Sequence, residues 1–212
     1  MVTIAPAILV YSESDLRSRI ASVPSAQTLH IDIMDGKFVN NITIGPDQLH
    51  DLPPRKEVEF HLMVADPLAF IEALPGGQNR IFQVHLESVK PGEERKISQA
   101  VNKKGARLCW VLNPSTPLER LLPVIARTSQ VLVMTVNPGW AGQAYIKDVE
   151  EKISALRLRY PNIAIEIDGG VGAKTIPRAI EAGADRFAAA SAVFGQKKPD
   201  EALRALMQIG DD

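Results

Sequence analysis

Residues 28–36 read Thr28-Leu29-His30-Ile31-Asp32-Ile33-Met34-Asp35-Gly36. The stretch Thr28–Ile33 is short, apolar and β-branched, with ionisable residues at alternate positions. A strand repeats every two residues, so His30 and Asp32 face one side, about 6.5–7 Å apart along the backbone. Asp35-Gly36 behind them is first of all a turn signal. Seven more runs of the same kind recur: Thr3–Leu9, Val58–Val64, Ile81–Leu86, Arg107–Leu112, Val131–Val136, Ile163–Ile167 and Arg186–Ala190. Such short runs of Val, Ile, Leu, Phe and Ala suit strands buried on both faces, as in a parallel sheet.

The segments between them carry helical spacing. Val149, Ile153, Leu156 and Tyr160 form one such set, and Leu118, Leu121, Leu122 and Ile125 another. Ile176 and Ile180 lead to Gly183 as a C-cap. Asp66-Pro67, Thr116-Pro117 and Lys198-Pro199-Asp200 mark helix entries. Eight strands alternating with about eight helices predict an eight-stranded parallel βα (TIM) barrel, one domain over residues 1–212. An open doubly wound sheet satisfies the same alternation. Only 18 residues separate Leu9 from Thr28, which fits short helices and almost no insertions. Gly76-Gly77 reads as a turn, and the tail Gly210-Asp211-Asp212 is expected to fray.

Composition narrows the function. The 212 residues carry 24 Lys+Arg against 25 Asp+Glu, a net charge of −1. That balance removes any general electrostatic case for nucleic acid or an anionic membrane as partner. Cys109 is the single cysteine, so no intrachain disulfide and no cysteine-based metal cluster forms. A reducing, cytoplasmic setting is expected. No run of 18 apolar residues occurs, and Met1-Val2-Thr3-Ile4-Ala5-Pro6 lacks the marks of a secretory signal. A homo-oligomer is expected.

Polar residues collect at strand ends. His30 and Asp32 are joined by His61, late in Val58-Glu59-Phe60-His61-Leu62-Met63, and by Asp168, which closes Ile163-Ala164-Ile165-Glu166-Ile167-Asp168. In a parallel barrel the C-terminal strand ends converge on one site. Two imidazoles and two carboxylates there suit one divalent transition metal, with Zn, Fe(II), Mn and Co all accepting mixed nitrogen and oxygen ligands. Each of the four taken alone also reads as a buried polar group paired with a neighbour. His85 and Glu87 share a face at the end of the fourth strand, where a site role and a structural role fit alike. His50 lies in a polar stretch and takes no role.

Glycine-bearing loops follow the last three strands: Asn137-Pro138-Gly139-Trp140-Ala141-Gly142-Gln143, Asp168-Gly169-Gly170-Val171 and Ala189-Ala190-Ser191. Loops there bring backbone N–H groups together, a setting that binds phosphate. No Walker loop or dinucleotide fingerprint occurs, so no nucleotide cofactor is indicated. Met34, Met63 and Met134 read as packing, or as an apolar wall around a substrate.

These motifs resemble the ribulose-phosphate 3-epimerase family over nearly the whole chain. The resemblance rests on His30-Ile31-Asp32-Ile33-Met34-Asp35-Gly36, Asn41-Ile42-Thr43-Ile44-Gly45-Pro46, His61-Leu62-Met63-Val64 and Val84-His85. It continues through Leu112-Asn113-Pro114, Thr116-Pro117, Met134-Thr135-Val136-Asn137-Pro138-Gly139, Gly142-Gln143, Glu166-Ile167-Asp168-Gly169-Gly170 and Ser191-Ala192-Val193-Phe194. It implies a βα barrel that interconverts ribulose 5-phosphate and xylulose 5-phosphate with one divalent metal. It implies His30, Asp32, His61 and Asp168 as metal ligands, and Asp32 and Asp168 as the paired acid and base. Met34, Met63 and Met134 would stand beside the enediolate. Phosphate would lie on the backbone of Gly142, Gly170, Val171, Ala190 and Ser191, with Gly139, Gln143 and Gly169 completing the substrate contacts.

Three departures from the family pattern bear on the substrate. The family usually has Ser where this chain has Ala7, Gly where it has Ala190, and Gly-Phe-Gly-Gly-Gln where it reads Gly139-Trp140-Ala141-Gly142-Gln143. Epimerases of six-carbon ketose phosphates such as allulose 6-phosphate share most of the motifs, and a non-catalytic sugar-phosphate-binding barrel is the third reading. The intact pair of carboxylates counts against a mere binder. Related decarboxylases and hexulose-phosphate synthases resemble one another in an Asp-x-Lys-x-x-Asp motif, but Asp32-Ile33-Met34-Asp35 has no lysine. No lysine lies within any expected strand, which disfavours a Schiff-base aldolase.

Overall fold

The structure, a computed structural model, describes residues 2–211. Its strands are β1 (Thr3–Ile8), β2 (Thr28–Met34), β3 (Glu57–Met63), β4 (Arg80–His85), β5 (Arg107–Leu112), β6 (Gln130–Met134), β7 (Ala164–Asp168) and β8 (Arg186–Ala189). Each pairs in parallel with the next, and β8 pairs with β1 to close the barrel. That closing pair sets aside the open doubly wound sheet. Every strand matches its expected span to within two residues at either end. The reason is burial: almost every strand position is inaccessible to water, which is what unbroken apolar runs require.

Among the described residues seven α-helices ring the barrel: α1 (Glu13–Ala21), α2 (Pro67–Ala73), α3 (Glu94–Lys103), α4 (Val149–Arg159), α5 (Ile176–Ala182), α6 (Ser191–Phe194) and α7 (Pro199–Asp211). Two of the expected caps are present, while Thr116-Pro117 opens only a 3-10 turn with no side-chain cap. Asp66 accepts from the Ala69 N–H, and Gly183 ends α5 at φ 109°. Two crossovers lack an α-helix. After β2 the chain makes only a 3-10 turn, Pro46–Gln48, and after β5 it makes two, Leu118–Leu121 and Ile125–Arg127. The helix expected on Leu118, Leu121, Leu122 and Ile125 fails because of Pro123. Proline has no N–H to give, and its ring clashes with the carbonyl four residues back. Its neighbours bond at i−3 instead: Leu122 N–H to Glu119 O at 3.1 Å and Val124 N–H to Leu121 O at 2.9 Å. The expected frayed tail is also corrected: Gly210 and Asp211 are helical, and Asp212 lies outside the described residues.

The main core fills the layer between sheet and helices, around Ile31, Phe60, Phe82, Trp110 and Phe187. Inside the barrel a smaller apolar cluster joins Ile81, Cys109, Val111, Leu132, Met134 and Val136. Polar side chains fill much of the remaining interior. His30, Asp32, Glu59, His61, Gln83, His85, Gln130 and Glu166 are all buried. The register explains their meeting: His30 lies beside Glu59, Asp32 beside His61, His61 beside Gln83, and Met134 beside Asp168. No described helix is long and apolar enough to cross a membrane.

Candidate metal centre

Period-two alternation puts His30 and Asp32 of β2 on the inside, while the end of β3 brings in His61 and the end of β7 brings in Asp168. One ligand atom from each lies within 4.8 Å of the others. His30 Nε2 stands 3.1 Å from His61 Nδ1, and both nitrogens face Asp32 Oδ1, at 3.4 and 3.1 Å. Asp168 Oδ2 is 3.3 Å from His61 Nδ1 and 3.8 Å from His30 Nε2. Thr43 holds the strand under Asp32, its hydroxyl donating to the Asp32 carbonyl at 2.7 Å and accepting from Met34 N–H at 2.9 Å.

These residues fit a divalent ion. Metal–ligand bonds of about 2.0–2.1 Å place tetrahedral ligands about 3.3–3.4 Å apart. The measured edges, 3.1 to 3.8 Å, bracket that value. The donor chemistry agrees, because two imidazole nitrogens aimed at each other between two carboxylates need a shared cation. Without one, protons gather there. Burial pushes the His30 imidazole down, but hydrogen bonds with Asp32, Glu166 and Glu59 outweigh it and hold its pKa well above the ordinary value. His61 is likewise raised, Asp168 and Asp32 overcoming burial. Burial pushes the Asp32 carboxyl up, yet the two histidines hold it far below the carboxylate range.

The outer nitrogen of each imidazole is also engaged. His30 Nδ1 faces Glu166 Oε1 at 3.3 Å and Glu59 Oε2 at 3.4 Å. His61 Nε2 meets His85 Nε2 at 2.9 Å. Below lies a polar plug absent from the sequence reading. Gln83 and Gln130 donate to Glu166 at 2.7 and 2.6 Å, and Arg186 donates to Glu59 at 2.7 Å. Burial and the neighbouring Glu59 push the Glu166 carboxyl up to about 7. A signal existed: Glu59, Gln83 and Glu166 each sit two residues before His61, His85 and Asp168, on the same strand face.

A cavity opens above the cluster. Asp32 and Asp168 line it, with Met34, Met63 and Met134, the loop residues Gly139, Trp140, Ala141, Gly142 and Gln143, and Gly169, Gly170, Val171, Ala190 and Ser191. His30 and His61 are not in the lining; they are fully buried. Ala7 also stands outside it, buried on β1 beside His30. Ala190 adopts φ −92°, which needs no glycine. Gly169 and Gly170 do need to be glycine. At φ 113° and 64°, an added Cβ would meet a Val136 side-chain carbon at 2.3 Å and the Tyr145 backbone nitrogen at 2.7 Å. Gln143 staples the sixth loop, donating to Asn137 O and Trp140 O at 2.7 and 2.9 Å.

Asp35 is a turn residue, as its Asp-Gly context suggests. It accepts from Lys37 N–H and Phe38 N–H, and its other oxygen accepts from Ala65 N–H at 2.8 Å, tying two rim loops together. Glu87 lies behind His85 and accepts from Asn113 N–H at 2.9 Å and from the Thr116 hydroxyl. Burial pushes its carboxyl up, but the adjacent His85 and hydrogen bonds from Thr116 and Asn113 hold it at about 2. His50 stays outside both clusters.

Fold and cluster together define a parallel βα barrel with a two-histidine, two-aspartate centre at the floor of a cavity walled by glycine-bearing loops. The chain matches the ribulose-phosphate 3 epimerase family over residues 3–194. It is 38% identical over 212 residues to the ribulose-phosphate 3-epimerase of Bacillus subtilis strain 168, covering 96% of this chain and 97% of that one. It is 37% identical over 214 residues to the cytoplasmic isoform of ribulose-phosphate 3-epimerase from Oryza sativa subsp. japonica, covering 96% and 92%. Solved structures share the fold at lower identity. 3-Hexulose-6-phosphate synthase from Salmonella typhimurium aligns with a TM-score of 0.70 at 16% identity, over 98% of this chain and 97% of that one. Orotidine 5'-phosphate decarboxylase from Pyrococcus horikoshii OT3 gives 0.67 at 18%, over 99% and 100%. This chain belongs to the ribulose-phosphate 3-epimerase family, and it is an isomerase of the epimerase kind.

Proposed function

We propose that the protein inverts C3 of a phosphorylated ketose, converting D-ribulose 5-phosphate to D-xylulose 5-phosphate and back, with one divalent ion held by His30, Asp32, His61 and Asp168. The observation that carries this reading is the convergence of Asp32 and Asp168, from strands on different parts of the barrel wall, at the floor of one cavity. Inversion needs a proton removed from one face of C3 and another delivered to the opposite face. One aspartate takes the C3 proton, the C–H electron pair moving into the enediolate form of the substrate. The other aspartate, protonated, returns a proton to C3 from the far side, and the two exchange roles in the reverse reaction. When bound, the ion supplies a Lewis acid that lowers the cost of negative charge on the substrate oxygens. Met34, Met63 and Met134 exclude water from the reacting carbons. Backbone N–H groups of Gly142, Gly170, Val171, Ala190 and Ser191 receive the phosphate. The near-zero net charge makes this rim, rather than the protein's overall field, the source of attraction for an anion. The lone Cys109 and the cytoplasmic relative support a cytoplasmic setting.

The test is incubation of ribulose 5-phosphate with metal-loaded protein in deuterated water. Deuterium should enter C3 with the wild type and not with Asp32→Asn or Asp168→Asn. An inert wild type under each of Zn, Fe(II), Mn and Co overturns the reading. Because Trp140 and Ala141 sit in the cavity wall where the family pattern is broken, allulose 6-phosphate is run alongside; faster exchange on it moves the assignment to six carbons.

A further inference from the structure

The centre takes Nδ1 of His61, not Nε2, and that choice has to be enforced. For Nδ1 to carry a lone pair, the His61 proton must sit on Nε2 and be donated outward. Its partner there is Nε2 of His85, 2.9 Å away. The two rings lie 14° apart with centroids at 5.1 Å, the separation of rings joined edge to edge through their nitrogens. To accept, His85 must carry its own proton on Nδ1. That nitrogen is fully buried and makes no hydrogen bond of ordinary geometry; the carboxylate it faces is Glu87, with Oε2 at 3.5 Å. The Asn113 side chain, whose Oδ1 is likewise buried without a hydrogen-bond partner, lies beside the same ring. Glu87 is fixed in turn, its Oε1 accepting from Asn113 N–H and the Thr116 hydroxyl.

We propose that Glu87 is a positioning residue that sets the tautomers of His85 and His61 and so keeps His61 Nδ1 free to bind the ion. The inference rests on the metal-centre reading above. Its direction is set at the far end of the chain, since an ionised carboxylate only accepts. In Glu87→Gln the Asn113 N–H keeps the amide oxygen where Oε1 was, so the amide NH2 faces His85 Nδ1. His85 then carries its proton on Nε2, His61 must accept there, and the His61 proton moves to Nδ1, where the ion would bind.

The experiment measures Zn2+ affinity by competition with a chromophoric chelator. The variants are Glu87→Gln, Glu87→Ala and Glu87→Asp, each also made with Asn113→Ala to remove the second acceptor. Melting of the metal-free proteins checks folding. The expected result is a loss of about 10–100-fold in Glu87→Gln, greater than in Glu87→Ala, with Glu87→Asp nearest the wild type. A purely structural role gives the opposite rank, the isosteric Gln mildest and Ala worst, and that rank overturns the proposal. Nitrogen-15 NMR of the zinc-loaded wild type should show protons on His61 Nε2 and His85 Nδ1; the reverse tautomers also overturn it. A wild type that binds no Zn2+ instead sinks the metal-centre reading, and this inference with it.

Discussion

Replacing Arg186 by Leu removes the guanidinium from the barrel interior. Its Nη2 stands 2.7 Å from Glu59 Oε1, with the Arg side chain 15% exposed and the Glu fully buried. At that separation and an effective dielectric of about 20, the attraction is about 6 kcal/mol. Burial pushes the Glu59 carboxyl up, while the His30 hydrogen bond and the Arg186 charge hold it down. Without Arg186 the orphan does not keep its charge at any cost; it takes a proton instead. From the ordinary value of 4.5 up to pH 7, that escape limits the penalty to about 3.4 kcal/mol. Breaking a buried pair by removing one partner costs about 3–5 kcal/mol, and the loss at pH 7 should fall there. The sign with pH follows. In the variant the folded-state pKa of Glu59 lies above the unfolded value, whereas in the wild type it lies below, so the orphan's own share of the penalty is smallest near pH 4.5. It grows by up to about 3.4 kcal/mol as pH rises to 7. Urea unfolding of both proteins with chelator present, at pH 4.5 and pH 7, measures it. Adding Glu59→Leu should recover most of the loss. A loss below about 1 kcal/mol at pH 7, or one that does not change with pH, refutes the reasoning.

Metal loading should raise the melting temperature, the wild type gaining about 2.7 kcal/mol at 100 times the Kd, and His30→Ala should abolish the gain in a thermal-shift titration. Because carboxylate neighbours raise both His30 and His61, the ion must displace protons; affinity should climb with pH, and calorimetry in buffers of different ionisation heat should register between one and two protons released. Gly170→Ala forces a Cβ against the Tyr145 backbone at positive φ and should cost about 1–3 kcal/mol in chemical denaturation. Trp140→Ala, at a position 58% exposed, should leave stability within about 0.5 kcal/mol while steady-state kinetics show KM for the phosphorylated ketose rising.

The barrel was legible because each strand is buried on both faces and therefore announces itself as an apolar run with sharp ends. The failure after β5 is as instructive. Leu118, Leu121 and Ile125 recur near helical intervals because they pack on the core, while Leu122 is exposed; a periodic pattern suggests which side is buried and not which backbone carries it. Pro123 decides that, and it was readable in the chain. His30, Asp32, His61 and Asp168 stood out because each falls near a strand end, where convergence in a barrel is a matter of topology. Glu59, Gln83, Gln130, Glu166 and Arg186 did not, because a charge inside a buried strand makes sense only when its partner is known. Glu59 and Arg186 are 127 residues apart, and His30 and Glu166 are 136 apart. Only the closed β8–β1 seam and the pairing registers bring them together.

Charge in the interior separates into two layers with different needs. Glu59, Glu166, Asp32 and Asp168 place four carboxylates around the barrel axis, against one permanent cation, Arg186. In the lower layer Arg186 offsets Glu59, and Glu166 has an elevated pKa that lets it hold a proton near neutrality. That layer is close to balanced without outside help. The upper layer is not: Asp32 and Asp168 face two imidazoles that are neutral at their ordinary pKa. Two protons or one dication restore the balance, and the raised histidine pKa values describe the first of these solutions. The second needs both imidazoles stripped of those protons while keeping their inner nitrogens bare. Glu166 and Glu59 behind His30, and His85 with Glu87 behind His61, take the remaining N–H on each ring. On the proposed metal-centre reading, the polar plug and the His85–Glu87 pair serve one requirement, which is to make the cavity floor a place where an ion can replace protons without the barrel rearranging.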